Sequence, residues 1–288
     1  MNLCSVDDLS DDEIRHILDE AERYAADPKG HRGTLDGHVI ATAFFEPSTR
    51  TRLSFEAAAL RLGAGVIGFS DGQNTSAAKG ETLEDSARVL GGYADLLVLR
   101  HPEEGAARRA AAHAGIPVVN AGDGAGEHPT QTLLDLFTIR RSLGYLKGQK
   151  VAVLGDLRYG RTVHSLVPAL NRLGASVVQV PAPGLEFPAS IADVPETSLD
   201  EAAATCDVLY VTRVQKERMT EPPKEPIVID RALLERTQSK AIVMHPLPRV
   251  DEVNVDLDDH PAAKYFEQAR NGVPVRMAVL AHLLGDSP

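Results

Sequence analysis

The stretch Phe44-Phe45-Glu46-Pro47-Ser48-Thr49-Arg50-Thr51-Arg52 turns a strand into a helix. Before it, residues 38–45 are apolar and β-rich. After it, residues 49–62 carry a helical pattern that stops at Gly63, as helices commonly do at glycine. Another short apolar run follows at 66–69, so the chain opens like a parallel α/β sheet. The junction is also loaded with donors. A helix N-terminus offers free N–H groups and a partial positive charge. Ser48, Thr49 and Thr51 add hydroxyls, and Arg50 adds a fork suited to phosphate. An ordinary N-cap with solvated arginines would explain Ser or Thr alone. It does not explain two arginines interleaved with three hydroxyls, so a phosphate site is the expectation. No Gly-x-x-x-x-Gly-Lys is present, which excludes a Walker loop.

Working outward, Ser10-Asp11-Asp12-Glu13 reads as a capping box opening a first helix towards Tyr24. Further strands are expected at 94–99 and 117–120, with an alanine-rich helix at 104–114 between them. Residues 128–143 read as a long helix whose end, Leu143-Gly144-Tyr145, precedes a second series. That series runs strand 150–154, helix 162–173, strand 176–180, then strands at 207–212 and 241–245, and closes on helical periodicity at 265–284. The fold class is therefore α/β with two domains, each a mainly parallel sheet flanked by helices. The expected division is 1–134 plus 265–288 for one domain and 135–264 for the other. A length of 288 residues agrees with two domains at ~100–200 residues each.

Composition narrows the function. The chain is 43% hydrophobic and 25% charged, an ordinary globular mixture. Its 30 Lys and Arg against 41 Asp and Glu leave a formal charge of −11, which argues against nucleic acid, since binding phosphate backbones needs a basic face. Two cysteines with no CxxC or Cys/His spacing indicate neither a disulfide framework nor a metal site. No apolar run approaches the ~20 residues that span a bilayer. The first residues lack a basic region and an apolar core, so a cytoplasmic location is expected.

The reactive-looking residues cluster just past the strand ends, where open parallel sheets bind ligands. Two such sheets facing each other would form an interdomain cleft. Solvated loop polarity explains any single cluster, but not the recurrence at nearly every strand end. Taken singly, the clusters differ in weight. Asn74-Thr75-Ser76-Ala77-Ala78-Lys79-Gly80 is read more readily as a solvated turn, and Arg100-His101-Pro102 as a charged strand end. His128 and Gln131 share one face of an opening helical turn, where a structural histidine and a carbonyl donor are about equally good readings. Gly155-Asp156-Leu157-Arg158-Tyr159-Gly160-Arg161 stands where a dinucleotide loop would, but lacks Gly-x-Gly-x-x-Gly, so a compact anion is expected instead. Arg161 and Arg213 together would clamp a dicarboxylate. In His245-Pro246-Leu247-Pro248-Arg249 the prolines restrict the backbone, aiming the carbonyls of Pro246 and Leu247 at a ligand N–H. Whether Leu247–Pro248 is cis is left open at this level.

Together these segments resemble the aspartate carbamoyltransferase family. Phe-x-Glu-Pro-Ser-Thr-Arg-Thr-Arg and His-Pro-x-Gln mark carbamoyltransferases generally. Thr212-Arg213-Val214-Gln215-Lys216-Glu217-Arg218 and His245-Pro246-Leu247-Pro248-Arg249 point to the aspartate branch, and the match extends through Asn271-Gly272-Val273-Pro274-Val275-Arg276-Met277. The resemblance implies transfer of a carbamoyl group from carbamoyl phosphate to L-aspartate, the committed step of pyrimidine biosynthesis, with no cofactor and no metal. It implies that Ser48, Thr49, Arg50, Thr51 and Arg100 hold the phosphate. His128 would bond the carbonyl oxygen, while Gln131 and the Leu247 carbonyl, beside Pro248, would hold the carbamoyl NH₂. Arg161, Arg213, Gln215 and Lys79 would bind aspartate. Ser76 and Lys79 would come from a neighbouring chain of a homotrimer with shared sites. Glu46 would pair with Arg161 and Arg218 to lock a closed form. A regulatory chain or a dihydroorotase are candidate partners. Residues 181–200 and 219–231 look shorter than the family shows, which bears on closure.

Three rivals remain at this level. An ornithine-type carbamoyltransferase would be expected to carry Cys in place of Pro246. A nucleotide-binding oxidoreductase would need the missing glycine fingerprint. A non-catalytic binding paralogue would be expected to have lost Lys79, His128 or Arg50.

Overall fold

A computed structural model describes residues 1–72, 79–124, 126–215 and 227–285. The chain divides into two compact units, Met1–Phe137 with Asn271–Pro288, and Thr138–Arg270. The chain passes from the first unit to the second within one helix and returns within another.

The first unit opens with helix α1, Asp11–Ala26, started by the expected capping box: Ser10 Oγ accepts from Glu13 N at 3.2 Å and Glu13 returns the bond to Ser10 N at 2.7 Å. Then follow β1 (Val39–Phe44), α2 (Thr49–Leu62), β2 (Gly65–Phe69), α3 (Leu83–Gly91), β3 (Leu96–His101), α4 (Ala106–Ala114), β4 (Val118–Asp123) and α5 (Pro129–Leu143). The strands pair in the order β2-β1-β3-β4, and every ladder is parallel. β3 is buried along almost its whole length, which is why its sequence reads as a continuous apolar run rather than alternating.

The second unit repeats the plan with β5 (Lys150–Gly155), α6 (Arg161–Arg172), β6 (Ser176–Pro181), α7 (Leu199–Thr205), β7 (Val208–Val211), α8 (Arg231–Arg236), β8 (Ile242–Met244) and α9 (Tyr265–Leu284). Its strand order is β6-β5-β7-β8, again wholly parallel. Leu154, Leu209, Val211, Leu233, Val243 and Tyr265 build its core between sheet and helices.

The expected strands are all present, with ends shifted by up to three residues. The 94–99 strand begins at Leu96 and runs on to His101, and the 117–120 strand reaches Asp123. The 104–114 helix begins at Ala106, and the 128–143 helix begins at Pro129, so His128 precedes it. The helix expected after Thr82 is α3, whereas the sequence reading did not anticipate α7 or α8.

In each sheet the first strand lies between its two successors, so the connections diverge to opposite sides. β1 lies between β2 and β3, and β5 between β6 and β7. Loops leaving the carboxyl ends of β1 and β3, or of β5 and β7, therefore separate and leave a crevice between them. Each unit has one such switch point.

Candidate active site

In the first unit the β1–α2 loop and the end of β3 meet at the switch point because of strand register. Phe44 pairs with Arg100, and Phe45 N donates to Arg100 O at 2.9 Å. Arg100, 7% exposed, donates from one guanidinium nitrogen to Ala121 O at 3.1 Å and from the other to the Glu46 carboxylate. Ser48 stands at the N-cap position of α2 but caps nothing with its side chain, which removes the plain N-cap explanation of this loop. The two arginines then part company. Arg52 spans one helical turn to Glu56 at 2.6 Å, while Arg50 is exposed at the helix opening and Thr51 is buried.

Gly122, on β4, brings the next group in. Its φ of +112° disfavours any side chain, and a Cβ there would lie 2.7 Å from an Arg100 nitrogen and 3.5 Å from the His128 ring. The space left by the missing methyl group is thus shared by Arg100 and His128. The loop carrying His128 is braced by a buried carboxylate: Asp123 accepts from Gly105 N at 2.9 Å, Asn120 Nδ2 at 3.0 Å and Glu127 N at 3.0 Å. At the start of α5, Gln131 donates through Nε2 to Asp135 at 2.9 Å. That bond orients the amide and turns its oxygen away from Asp135.

The second unit shows the same logic. Gly155 ends β5 with φ +101°, and a Cβ there would meet Thr212 O at 2.3 Å. The loops after β5 and β7 therefore run almost in contact. Buried Asp156 ties them together, accepting from Tyr159 N at 2.9 Å and from Gln215 N at 3.0 Å. Gln215 Nε2 donates in turn to Tyr159 O at 2.6 Å. Arg161 is the first residue of α6 and Arg213 lies two residues beyond β7, both at this switch point. After β8, the Leu247–Pro248 peptide is cis and Leu247 has φ +53°.

Of the residues expected from sequence, Ser48, Thr49, Arg50, Thr51, Glu46, Arg100, His128 and Gln131 fall at the carboxyl edge of the first sheet. Arg161, Arg213, Gln215, Leu247 and Pro248 fall at that edge of the second. Lys79 is exposed between β2 and α3. Ser76 and Arg218 lie outside the described residues. Glu46 holds Arg100, a partner that the expected closure pairs with Arg161 and Arg218 did not include. Sequence reading passed over Asp123, Asp135, Asp156 and the His245–Glu252 pair. Only Asp123 and Asp156 carry a prior signal, an acidic residue at or just after a strand end. Both cysteines are buried, and burial raises the Cys4 thiol to about 11 and lifts Cys206 above its ordinary value, opposite to the shift that activates a thiol.

Two parallel sheets, each with cations at its switch point and neither with a dinucleotide fingerprint, suit the binding of small anions rather than dinucleotides. Residues 1–141 match the family described as "Aspartate/ornithine carbamoyltransferase, carbamoyl-P binding domain" and residues 147–283 match its "Asp/Orn binding domain". The chain belongs to the aspartate/ornithine carbamoyltransferase family. A relative from Thermoplasma volcanium named "Aspartate carbamoyltransferase catalytic subunit" is 46% identical, over 99% of this chain and 98% of its own. The catalytic subunit of Methanocaldococcus jannaschii aspartate transcarbamoylase, in an orthorhombic crystal form, is 48% identical and superposes with TM-score 0.91 over 99% of this chain and 98% of that one. The Trypanosoma cruzi aspartate transcarbamoylase, in complex with N-(phosphonacetyl)-L-aspartic acid, is 39% identical with TM-score 0.92, covering 99% and 96%. Among the described residues, no helix is long and apolar enough to cross a membrane.

Proposed function

We infer that this chain is an aspartate carbamoyltransferase, forming N-carbamoyl-L-aspartate and phosphate from carbamoyl phosphate and L-aspartate. One observation carries the reading: in each unit the expected anion-binding side chains gather where the connections diverge from the first strand. The first unit is the carbamoyl phosphate domain and the second the aspartate domain. Ser48, Thr49, Arg50, Thr51 and Arg100 take the phosphate, and Arg161, Arg213 and Gln215 take the aspartate carboxylates.

The neutral aspartate amine attacks the carbamoyl carbon, and a C–N bond forms as the carbonyl electrons move onto oxygen. Thr51, Arg100 and His128 stabilise that oxyanion, an effect worth ~10²–10³ in rate per preorganised donor. Gln131 Oε1 and the Leu247 carbonyl accept the carbamoyl N–H groups and fix the plane of attack. The oxyanion collapses, the C–O bond breaks with its electron pair on phosphate, and phosphate takes the proton from nitrogen. Holding both anions in place removes much of the entropic cost of a bimolecular step.

The site is shared within a homotrimer, with Ser76 and Lys79 supplied by a neighbouring chain, in a cytoplasmic enzyme of pyrimidine biosynthesis. Glu46, Arg161 and Arg218 serve closure, and a regulatory chain or a dihydroorotase are the partners to look for. The test is carbamoyl transfer to aspartate with ornithine as the control acceptor. Activity with ornithine alone refutes the assignment, and no transfer to either acceptor favours a binding paralogue. Sharing is tested by mixing Arg50→Ala and Lys79→Ala chains, each inactive alone. Hybrid trimers should regain activity, and none regained after verified subunit exchange refutes a shared site.

A further inference from the structure

His245 and Glu252 have no part in the chemistry above, yet they form a buried polar pair beside the strand-end turn that carries Leu247. His245 is 1% exposed and Glu252 3%. His245 Nε2 lies 2.7 Å from the Glu252 carboxylate, and Leu247 N donates to His245 Nδ1 at 2.8 Å. The backbone N–H of His245 is itself held by Gln268 Oε1 at 2.8 Å. These contacts settle the tautomer. Nδ1 accepts from an amide N–H, so it carries no proton, and the proton sits on Nε2, facing Glu252. The carboxylate is anchored in turn by Asp251 N at 3.1 Å and Val250 N at 3.3 Å.

Leu247 needs such a fixture. It stands between two prolines, with φ +53°, a left-handed conformation that side chains avoid. Its amide is the only backbone donor within Pro246–Pro248, because proline has none. Losing the acceptor on His245 would remove that hydrogen bond and free the Pro246–Leu247 peptide to turn.

We propose that His245 and Glu252 act as positioning residues for carbamoyl phosphate. Glu252 fixes the imidazole tautomer, the imidazole fixes the Leu247 amide, and the Leu247 carbonyl is thereby aimed at the carbamoyl N–H. This rests on the proposed role of the Leu247 carbonyl.

Asparagine and glutamine separate the two bonds of the imidazole. His245→Asn keeps an acceptor near the Nδ1 position, whereas His245→Gln keeps a donor near Nε2 and loses that acceptor. Two quantities are read on the full-length enzyme: hydrogen exchange at the Leu247 amide, and dissociation constants for carbamoyl phosphate and for inorganic phosphate. The expected result is slow exchange in the parent and in His245→Asn, and fast exchange in His245→Gln. Carbamoyl phosphate binding should weaken ~10-fold in His245→Gln, as for one lost hydrogen bond, with phosphate binding unchanged and His245→Asn close to the parent. Equal behaviour of the two variants overturns the proposal. So does an Nδ1-protonated His245 in the ¹⁵N spectrum of the parent enzyme, a measurement that needs no variant to fold. If exchange follows the expected order while carbamoyl phosphate and phosphate affinities stay level, the role given to the Leu247 carbonyl fails instead, and the proposal falls with it.

Discussion

Gly122→Ala tests whether Arg100 and His128 work as a unit. The new methyl group would lie 2.7 Å from an Arg100 nitrogen, well inside contact distance. Arg100 is pinned by Ala121 O and Glu46, so moving its guanidinium breaks bonds to both. The backbone penalty at φ +112° adds a cost in stability of about 1–2 kcal/mol. The penalty for catalysis is separate: a displaced oxyanion donor costs ~10²–10³ in turnover, or about 2.7–4 kcal/mol. Gly115→Ala supplies the control. Gly115 also has positive φ, +71°, but a Cβ there meets nothing within 4 Å, so it carries backbone strain without a collision. Thermal unfolding and initial rates of carbamoyl transfer are measured on both variants. Both should lose stability, and only Gly122→Ala should lose kcat by the stated factor. A Gly122→Ala enzyme that melts early yet turns over normally would refute the reasoning.

Other outcomes follow from the buried acids. Burial alone would raise Glu252, but hydrogen bonds from His245 and the local backbone more than offset it and hold the carboxyl at about 2. A folded value below the ordinary 4.5 stabilises the native state above that pH, and the contribution, up to about 3 kcal/mol, is lost as pH falls through the folded value. The stability gap between the parent and Glu252→Gln, from urea unfolding, should therefore shrink from about pH 7 to pH 3, and a constant gap would contradict the assignment. Asp156→Ala removes the acceptor of Tyr159 N and Gln215 N. At about 1–3 kcal/mol for stranded donors, it should raise the aspartate KM ~10–100-fold and leave carbamoyl phosphate binding unchanged. Arg276 is fully buried, and burial lowers its guanidinium to about 10 while Asp135 favours the charged form. Asp135→Ala should cost about 3–5 kcal/mol in unfolding free energy, and adding Arg276→Met should recover most of it.

The strands could be located because those of a parallel sheet covered on both faces are continuous apolar runs, as at Val151–Val153 in β5, all fully buried. α2 could be read to its last residue because Gly63 closes it in a left-handed conformation. α7 and α8 were invisible for the opposite reason: at seven and six residues they are under two helical turns, too short for a 3.6-residue period to separate from noise. The site divides along similar lines. Arginines and hydroxyls could be read through their recurrence at nearly every strand end, since any one of them is explained by solvated loop polarity. Asp123 and Asp156 could not, because their partners are backbone N–H groups that converge only after folding. Arg50 was preferred to Arg52 in the sequence, but the physical reason needs the fold, where Arg52 is the one that reaches Glu56 along the helix.

These buried acids also account for how a chain of formal charge −11 can present cationic sites. A carboxylate placed to neutralise a nearby arginine would compete with the anion that arginine must bind. Asp156 accepts two backbone N–H groups, and Asp123 accepts backbone N–H groups and the Asn120 amide. Their charge is thus largely spent on neutral donors that define loop shape, and a carboxylate saturated by amides has little left with which to hold a guanidinium. Arg52, by contrast, is matched to Glu56 along one helix face and stands outside the proposed ligand set. Arg100 is the instructive exception, since it holds both a carbonyl and Glu46. A phosphate arriving there would compete with Glu46 for one guanidinium edge while the Ala121 bond holds the other. Binding of carbamoyl phosphate would then change the partner of Glu46, coupling occupancy of the first sheet's switch point to the residue assigned to closure.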